Sequence, residues 1–325
     1  MRSTNPIPRM LLLSLFCVFT SILTSAAPSS AAELLASGHV DESIAVLQKT
    51  VRDSPNDAAS FNLLCRAYYS FGNWDQAISA CEKSVAIDAN NSMYHLWLGR
   101  SYGEKADNSS IFSAPGLAKK ARVEFETAVK LNPENVDGRG DLSEFYVEAP
   151  GMMGGGTDKA EAQAQALEKL FPARAHWIRA RIAEKKKDYT TAEKEYREAI
   201  QSHDNSATWL DLASYFRHRD RLPEMEDAIN HAIDSKVDPP EALFEAAETL
   251  IRTGRNFGKA TELLRKYLNS GNLVEQAPAF KAHYQLGVVL EKQGDKKGAA
   301  QEYSAALALA KGYSRANEAL DRVNR

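Results

Sequence analysis

The feature that most constrains this 325-residue chain is an amphipathic two-helix pattern that returns about every 34 residues. Within 61–91, Phe61, Leu64, Cys65 and Tyr68 stand at i, i+3, i+4 and i+7, one face of a helix. Gly72 and Asn73 interrupt that helix, and Ala77, Cys81, Ser84 and Val85 mark the inner face of a second. The first-helix pattern recurs at His95, Leu98, Gly99 and Tyr102, at Trp209, Leu212, Ala213 and Phe216, and at His283, Leu286, Gly287 and Leu290. Second helices recur at Ala121, Phe125 and Ala128, at Ala192, Tyr196 and Ala199, at Ala260, Leu264 and Tyr267, and at Ala299, Tyr303 and Ala306. Each pair is too small to bury its own apolar face, so the pairs must stack.

The pattern resembles the tetratricopeptide (TPR) repeat, with Leu98-Gly99, Tyr102, Ala121, Phe125 and Pro133 standing at the repeat's signature positions. It fits least well over 173–205, where Arg179 and Ala180 replace Leu-Gly. Repeat boundaries fall near 33–57, 58–91, 92–135, 136–172, 173–205, 206–240, 241–279 and 280–312. The resemblance implies an all-α TPR solenoid, a right-handed superhelix of about eight helix pairs with a C-terminal capping helix. It also implies a concave wall built from first helices and a non-enzymatic scaffold for a protein or extended peptide. The opening repeat is incomplete, and its end is expected to fray.

Ahead of the repeats, Arg2 and Arg9 precede an apolar run of about 14 residues, 10–23, shorter than the ~20 a membrane-spanning helix needs. Small residues follow at Ala26, Ala27, Ala31 and Ala32. This reads as a secretory signal peptide over 1–32, leaving no membrane span in a periplasmic or secreted protein of the bacterial cell envelope. The repeat region is 33–325. Forty basic against 43 acidic residues give a formal charge of −3, and removing the leader's two arginines makes the remainder more acidic, which argues against nucleic acid.

No HExxH or GxSxG motif, CxxC pair or metal-spaced Cys/His cluster occurs, so neither a catalytic set nor a metal or cofactor is expected. The run Gly154-Gly155-Gly156 lacks the Gly-Lys-Ser/Thr ending of a phosphate loop. His95 and His283 fall on buried faces, where packed imidazoles are expected. Cys65 and Cys81 stand about equally far from the turn at Gly72, on facing stripes. They are either two buried thiols or a disulfide, which would stabilise an exported protein by ~3 kcal/mol.

Two features exceed plain repeat packing. Residues beside the buried stripe, Asn62, Arg66, Tyr69, Trp97, Arg100, Glu144, Trp177 and Arg181, form an Arg- and aromatic-rich concave wall suited to an acidic peptide. The bland alternative is a solvated face held by pairs such as Arg100 with Glu104. Adjacent repeats also carry insertions near 107–120 and 148–158, expected to be neighbouring loops with exposed Ile111, Phe112, Leu117, Met152 and Met153. A small-ligand or glycan-binding solenoid and, beyond that, an enzyme are the other classes. Mass spectrometry of the exported protein is expected to give an N-terminus between Ala27 and Glu33, and an intact Met1 would refute the signal peptide.

Overall fold

The computed structural model describes residues 30–234 and 240–325, so the signal peptide falls almost wholly outside the described residues. Eight antiparallel helix pairs follow one another along the chain. They are α1 (Ala31–Ala36) with α2 (Val40–Asp53), α3 (Ala58–Ser70) with α4 (Trp74–Ile87), α5 (Ser92–Asp107) with α6 (Ala114–Leu131), and α7 (Val136–Glu148) with α8 (Thr157–Leu167). Next come α9 (Pro172–Lys185) with α10 (Tyr189–Ser202), α11 (Ser206–His218) with α12 (Leu222–Asp234), α13 (Glu241–Thr253) with α14 (Phe257–Leu268), and α15 (Ala279–Lys292) with α16 (Lys296–Leu309). A last helix, α17 (Ser314–Val323), packs on α16.

Local signals set these boundaries. Asp57 and Asn73 cap α3 and α4 by accepting from the backbone N–H of Ser60 and Gln76, which satisfies donors a helix start leaves open. Within a pair, small residues let the helices touch. A Cβ on Gly99 would sit 2.6 Å from the Phe125 ring, and one on Gly287 would sit 2.5 Å from Tyr303. The two contacts are the same contact made in different repeats, which is why Leu-Gly recurs at that spacing.

The opening pair departs from the expectation of a frayed end. Ser30 and Glu33 form a reciprocal capping box at the start of α1, and Leu35 and Val40 are fully buried. Their cover is the other end of the chain. Leu35, Val40 and Ala67 share one apolar cluster with Phe280, Ala306, Ala310, Tyr313 and Ala316. Asp41 accepts from the backbone N–H of Lys311 at 3.0 Å. Gly38, at φ +85°, lies against α15 so closely that a Cβ there would be 2.6 Å from the Ala279 nitrogen. The eight pairs thus make one superhelical turn whose ends touch. The C-terminal segment, expected as a solvent-facing cap, contributes Ala316 to this clasp as well as covering α16.

Phe280 is fully buried at the centre of the clasp, edge-on to Tyr313 at 5.1 Å between ring centroids. Phe280→Ala is expected to lower the unfolding free energy by ~3–5 kcal/mol. Urea titration followed by circular dichroism checks this, and a loss under about 1 kcal/mol would show that the clasp adds little to stability.

Candidate functional site

First helices α3, α5, α7, α9, α11, α13 and α15 turn one strip each toward the interior of the turn, and the concave residues come together there. The strip is narrow because each first helix packs on its partner and on both neighbours. Asn62 illustrates the limit: α3 packs against α2, α4 and α5, and Asn62 is buried in that wall rather than offered to a partner. This corrects its expected place on the binding face.

The remaining wall residues line the interior, and each arginine already holds a carboxylate of this chain. Arg66 forms a two-pronged pair with Glu275, its Nε donating at 2.8 Å, across 209 residues of sequence. Arg100 donates from Nε to Asp141 at 2.5 Å, joining α5 to α7. The anticipated Arg100–Glu104 pair does not form: Arg100 is taken by Asp141, and Glu104 accepts from the Tyr69 hydroxyl at 3.4 Å. Arg181 reaches Glu144 at 2.6 and 3.1 Å, and also Glu148 and Glu184. Burial, the largest single influence, lowers its pKa, but the bond to Glu144 and the charges of Glu144, Tyr196 and Glu184 together raise it. Trp97 lies between two guanidiniums, Arg66 at 5.3 Å and Arg100 at 4.8 Å from its ring centre, with Tyr69 edge-on at 5.3 Å. Trp177 carries the Arg174 guanidinium at 3.8 Å. The wall is therefore a network of charge pairs stitching neighbouring first helices. An acidic peptide would have to displace carboxylates already in place.

The second insertion packs against α6, the helix that the first insertion lengthens, and the form of both differs from free loops. Pro115 sits in the first turn of α6, so the insertion after α5 lengthens the second helix and leaves 108–113 as the connection. The second insertion folds a short 3-10 turn, Gly151–Met153, against α6, with Gly154 beside Arg122. Ile111, Phe112 and Met152 stand 80%, 90% and 86% exposed. Leu117 and Met153 do not join them. Leu117 faces inward from α6 and packs on the apolar core, and Met153 is half-buried.

Cys65 and Cys81 are joined as a disulfide, with Cα atoms 5.2 Å apart, linking α3 to α4. His95 meets Glu124 at 2.5 Å and the Ala89 carbonyl at 3.0 Å, and His283 meets Glu302 at 2.7 Å. Both imidazoles tie a first helix to its second helix. Among the described residues, no three His, Cys, Asp or Glu side chains gather as a metal ligand set, and no helix is long and apolar enough to cross a membrane.

Sequence reading passed over two interior carboxylates. Burial lifts the Asp211 carboxyl to about 6, against the pull of Arg174, a hydrogen bond from Trp177 and the charge of Arg181, while Glu144 adds to the rise. Burial, then the charges of Asp211, Glu241 and Glu248, lift Glu245 to about 7. Both lie above the ordinary values of about 3.9 and 4.3, so the folded chain holds these protons more tightly than the unfolded one. Their contribution to stability is complete below about pH 4 and is lost as pH rises through 6 to 7. The Glu245 side chain is exposed to solvent, which screens its shift and leaves Asp211 as the main contributor. The thermal midpoint is expected to fall between pH 4 and pH 7, and Asp211→Asn is expected to flatten that fall. An unchanged slope in the variant would refute the assignment.

Comparison with known proteins places this geometry. Tetratricopeptide repeat family models match residues 34–99, and 154–207 with 244–314. The insertion-bearing turns at 108–113 and 149–156 fall largely in the stretch between these matches. Among solved structures, yeast Tom70 is 15% identical with a TM-score of 0.53, over 94% of this chain and 65% of that one. The C-terminal part of a TPR repeat-containing protein from Cytophaga hutchinsonii is 15% identical with a TM-score of 0.43, over 89% and 98%. A thermophilic TPR protein of Thermus thermophilus is 20% identical with a TM-score of 0.44, over 60% and 95%. No curated protein matches the sequence. Stacked helix pairs, the Gly99 and Gly287 contacts and the family matches agree: the chain belongs to the tetratricopeptide repeat family.

Proposed function

We propose that this protein is a non-enzymatic interaction scaffold of the bacterial cell envelope, exported by its N-terminal leader, and that it docks a protein partner on its insertion edge. The observation that carries the reading is the trio Ile111, Phe112 and Met152, large apolar side chains left open on the connection into α6 and on the short turn that packs against α6. Exposed apolar side chains of that size gain free energy when a partner covers them, and an unbranched Met adapts to an irregular surface. TPR repeats supply a rigid frame from which such turns project. The paired arginines of the interior enter as part of that frame, since Arg66, Arg100 and Arg181 hold the wall together. Export is supported by the Cys65–Cys81 bond, which persists in an oxidising compartment.

Affinity capture from envelope extracts after mild crosslinking tests the docking edge. The triple variant Ile111→Ser/Phe112→Ser/Met152→Ser is expected to melt like wild type, because its side chains contribute little to the core, and to lose the captured partner. Equal capture by wild type and variant would reject the edge as the docking surface.

A further inference from the structure

The interior of the turn is not filled, and two of its cavities meet at Tyr69, Ser70, Gln276 and Lys281. A cavity of about 200 Å³ lies between Arg66, Trp97 and Arg100 on one side and Glu275 on the other. A larger cavity of about 500 Å³ is bounded by α3, α5, α13, α15 and α17, the elements brought together by the clasp. Both are lined by Lys281. The larger volume falls in the range of small-molecule pockets, and such pockets combine apolar walls with a few convergent polar groups.

The charges around the larger cavity leave a positive surplus. Glu248 accepts from the Gln285 amide at 2.5 Å and lies 3.5 Å from Arg252. Glu104 takes the Tyr69 hydroxyl. Both carboxylates are thus engaged. Lys281 on α15 and Arg315 on α17 form no ion pair with a described residue, although both face the cavity. They also lie close enough to repel. Burial pushes the Lys281 ammonium's pKa down, Glu248 and Glu104 pull it part of the way back, and Arg315 pushes it down again. Lys281 is partly buried and Arg315 is exposed at the cavity's surface end, and a partly desolvated cation without a bonded partner gains when an anion meets it. Tyr69, Phe244 and Tyr313 supply aromatic surface around the same space.

We propose that this cavity binds a small organic carboxylate, its charge held by Lys281 and Arg315 and its apolar body set against Tyr69, Phe244 and Tyr313. Glu104 and Glu248 disfavour a doubly charged ligand such as phosphate, whereas a monoanion fits between them and the two cations. The carboxylate belongs to a free acid or to the last residue of a peptide, and the two sources are separable by experiment. This site is independent of the insertion edge, which lies on other residues.

Calorimetric titration of the oxidised full chain with 4-phenylbutyrate, with 4-phenylbutanamide and with the peptide Gly-Gly-Gly-Ala-Phe bearing a free carboxylate tests it. The acid is expected to bind at least about tenfold more tightly than the amide. Lys281→Met keeps the length of the stem without its charge and is expected to weaken the acid by about tenfold or more. Arg315→Gln, at the surface end of the cavity, is expected to act in the same direction and guards against a misfolded Lys281 variant. Binding is expected to weaken with rising pH as Lys281 loses its proton, and to be unchanged by the Ile111/Phe112/Met152 substitutions. Peptide binding as tight as that of the acid assigns the site to chain ends, and weaker peptide binding assigns it to free acids. Equal affinity for acid and amide, no binding of either, or indifference to both charge substitutions would overturn the proposal.

Discussion

Everything inside the turn depends on the contact between its two ends. A stack of TPR pairs ordinarily presents an apolar face at each terminus, and each must be covered or made polar. Here Leu35 and Val40 from the first pair meet Phe280 and Tyr313 from the last, so each terminus covers the other. The Arg66–Glu275 pair and the Asp41 bond to Lys311 add polar links over the same seam. With the ends joined, the concave wall becomes a lumen, and charges that would face bulk water face one another instead. The lowered pKa of Lys281, which meets Glu104 of α5 and Arg315 of α17, is a consequence of that enclosure.

Most of the repeat architecture was legible in the sequence because it is local. Helix spacing, the turn after α3 and the small residue at Gly99 or Gly287 all act within about 40 residues, and repetition multiplies a weak signal. Helix starts at 58, 92, 136, 206 and 241 coincide with the expected repeat boundaries. The seam was not legible. Arg66 and Glu275 are 209 residues apart, and their meeting depends on small rotations summed over every intervening pair. No residue pattern carries that sum, so the opening pair read as an exposed end.

The site was partly legible, and the misses have physical causes. For Arg66, Arg100 and Arg181 the sequence suggested pairing only within one helix, as Arg100 with Glu104, whereas their partners lie on other helices or, for Glu275, across the seam. Arg100 with Asp141 and Arg181 with Glu144 are separated by 41 and 37 residues, close to one repeat, and a search at that offset would have found them. In the insertions, the whole of 107–120 read as loop. Proline also opens helices, and at 115 it does so. That choice turned Leu117 inward and left only Ile111, Phe112 and Met152 outside.

Touching ends have a consequence for how such a chain can change over time. An open repeat protein can gain or lose a unit with little penalty, since each unit contacts only its neighbours and the array simply becomes longer or shorter. A turn that meets itself has a fixed count. Adding a ninth pair would carry Phe280 and Tyr313 past Leu35 and Val40, and dropping one would leave them short. Variation of this chain is therefore confined to what can be altered without changing the number of units, such as the lengthened α6 and the glycine-rich turn before α8.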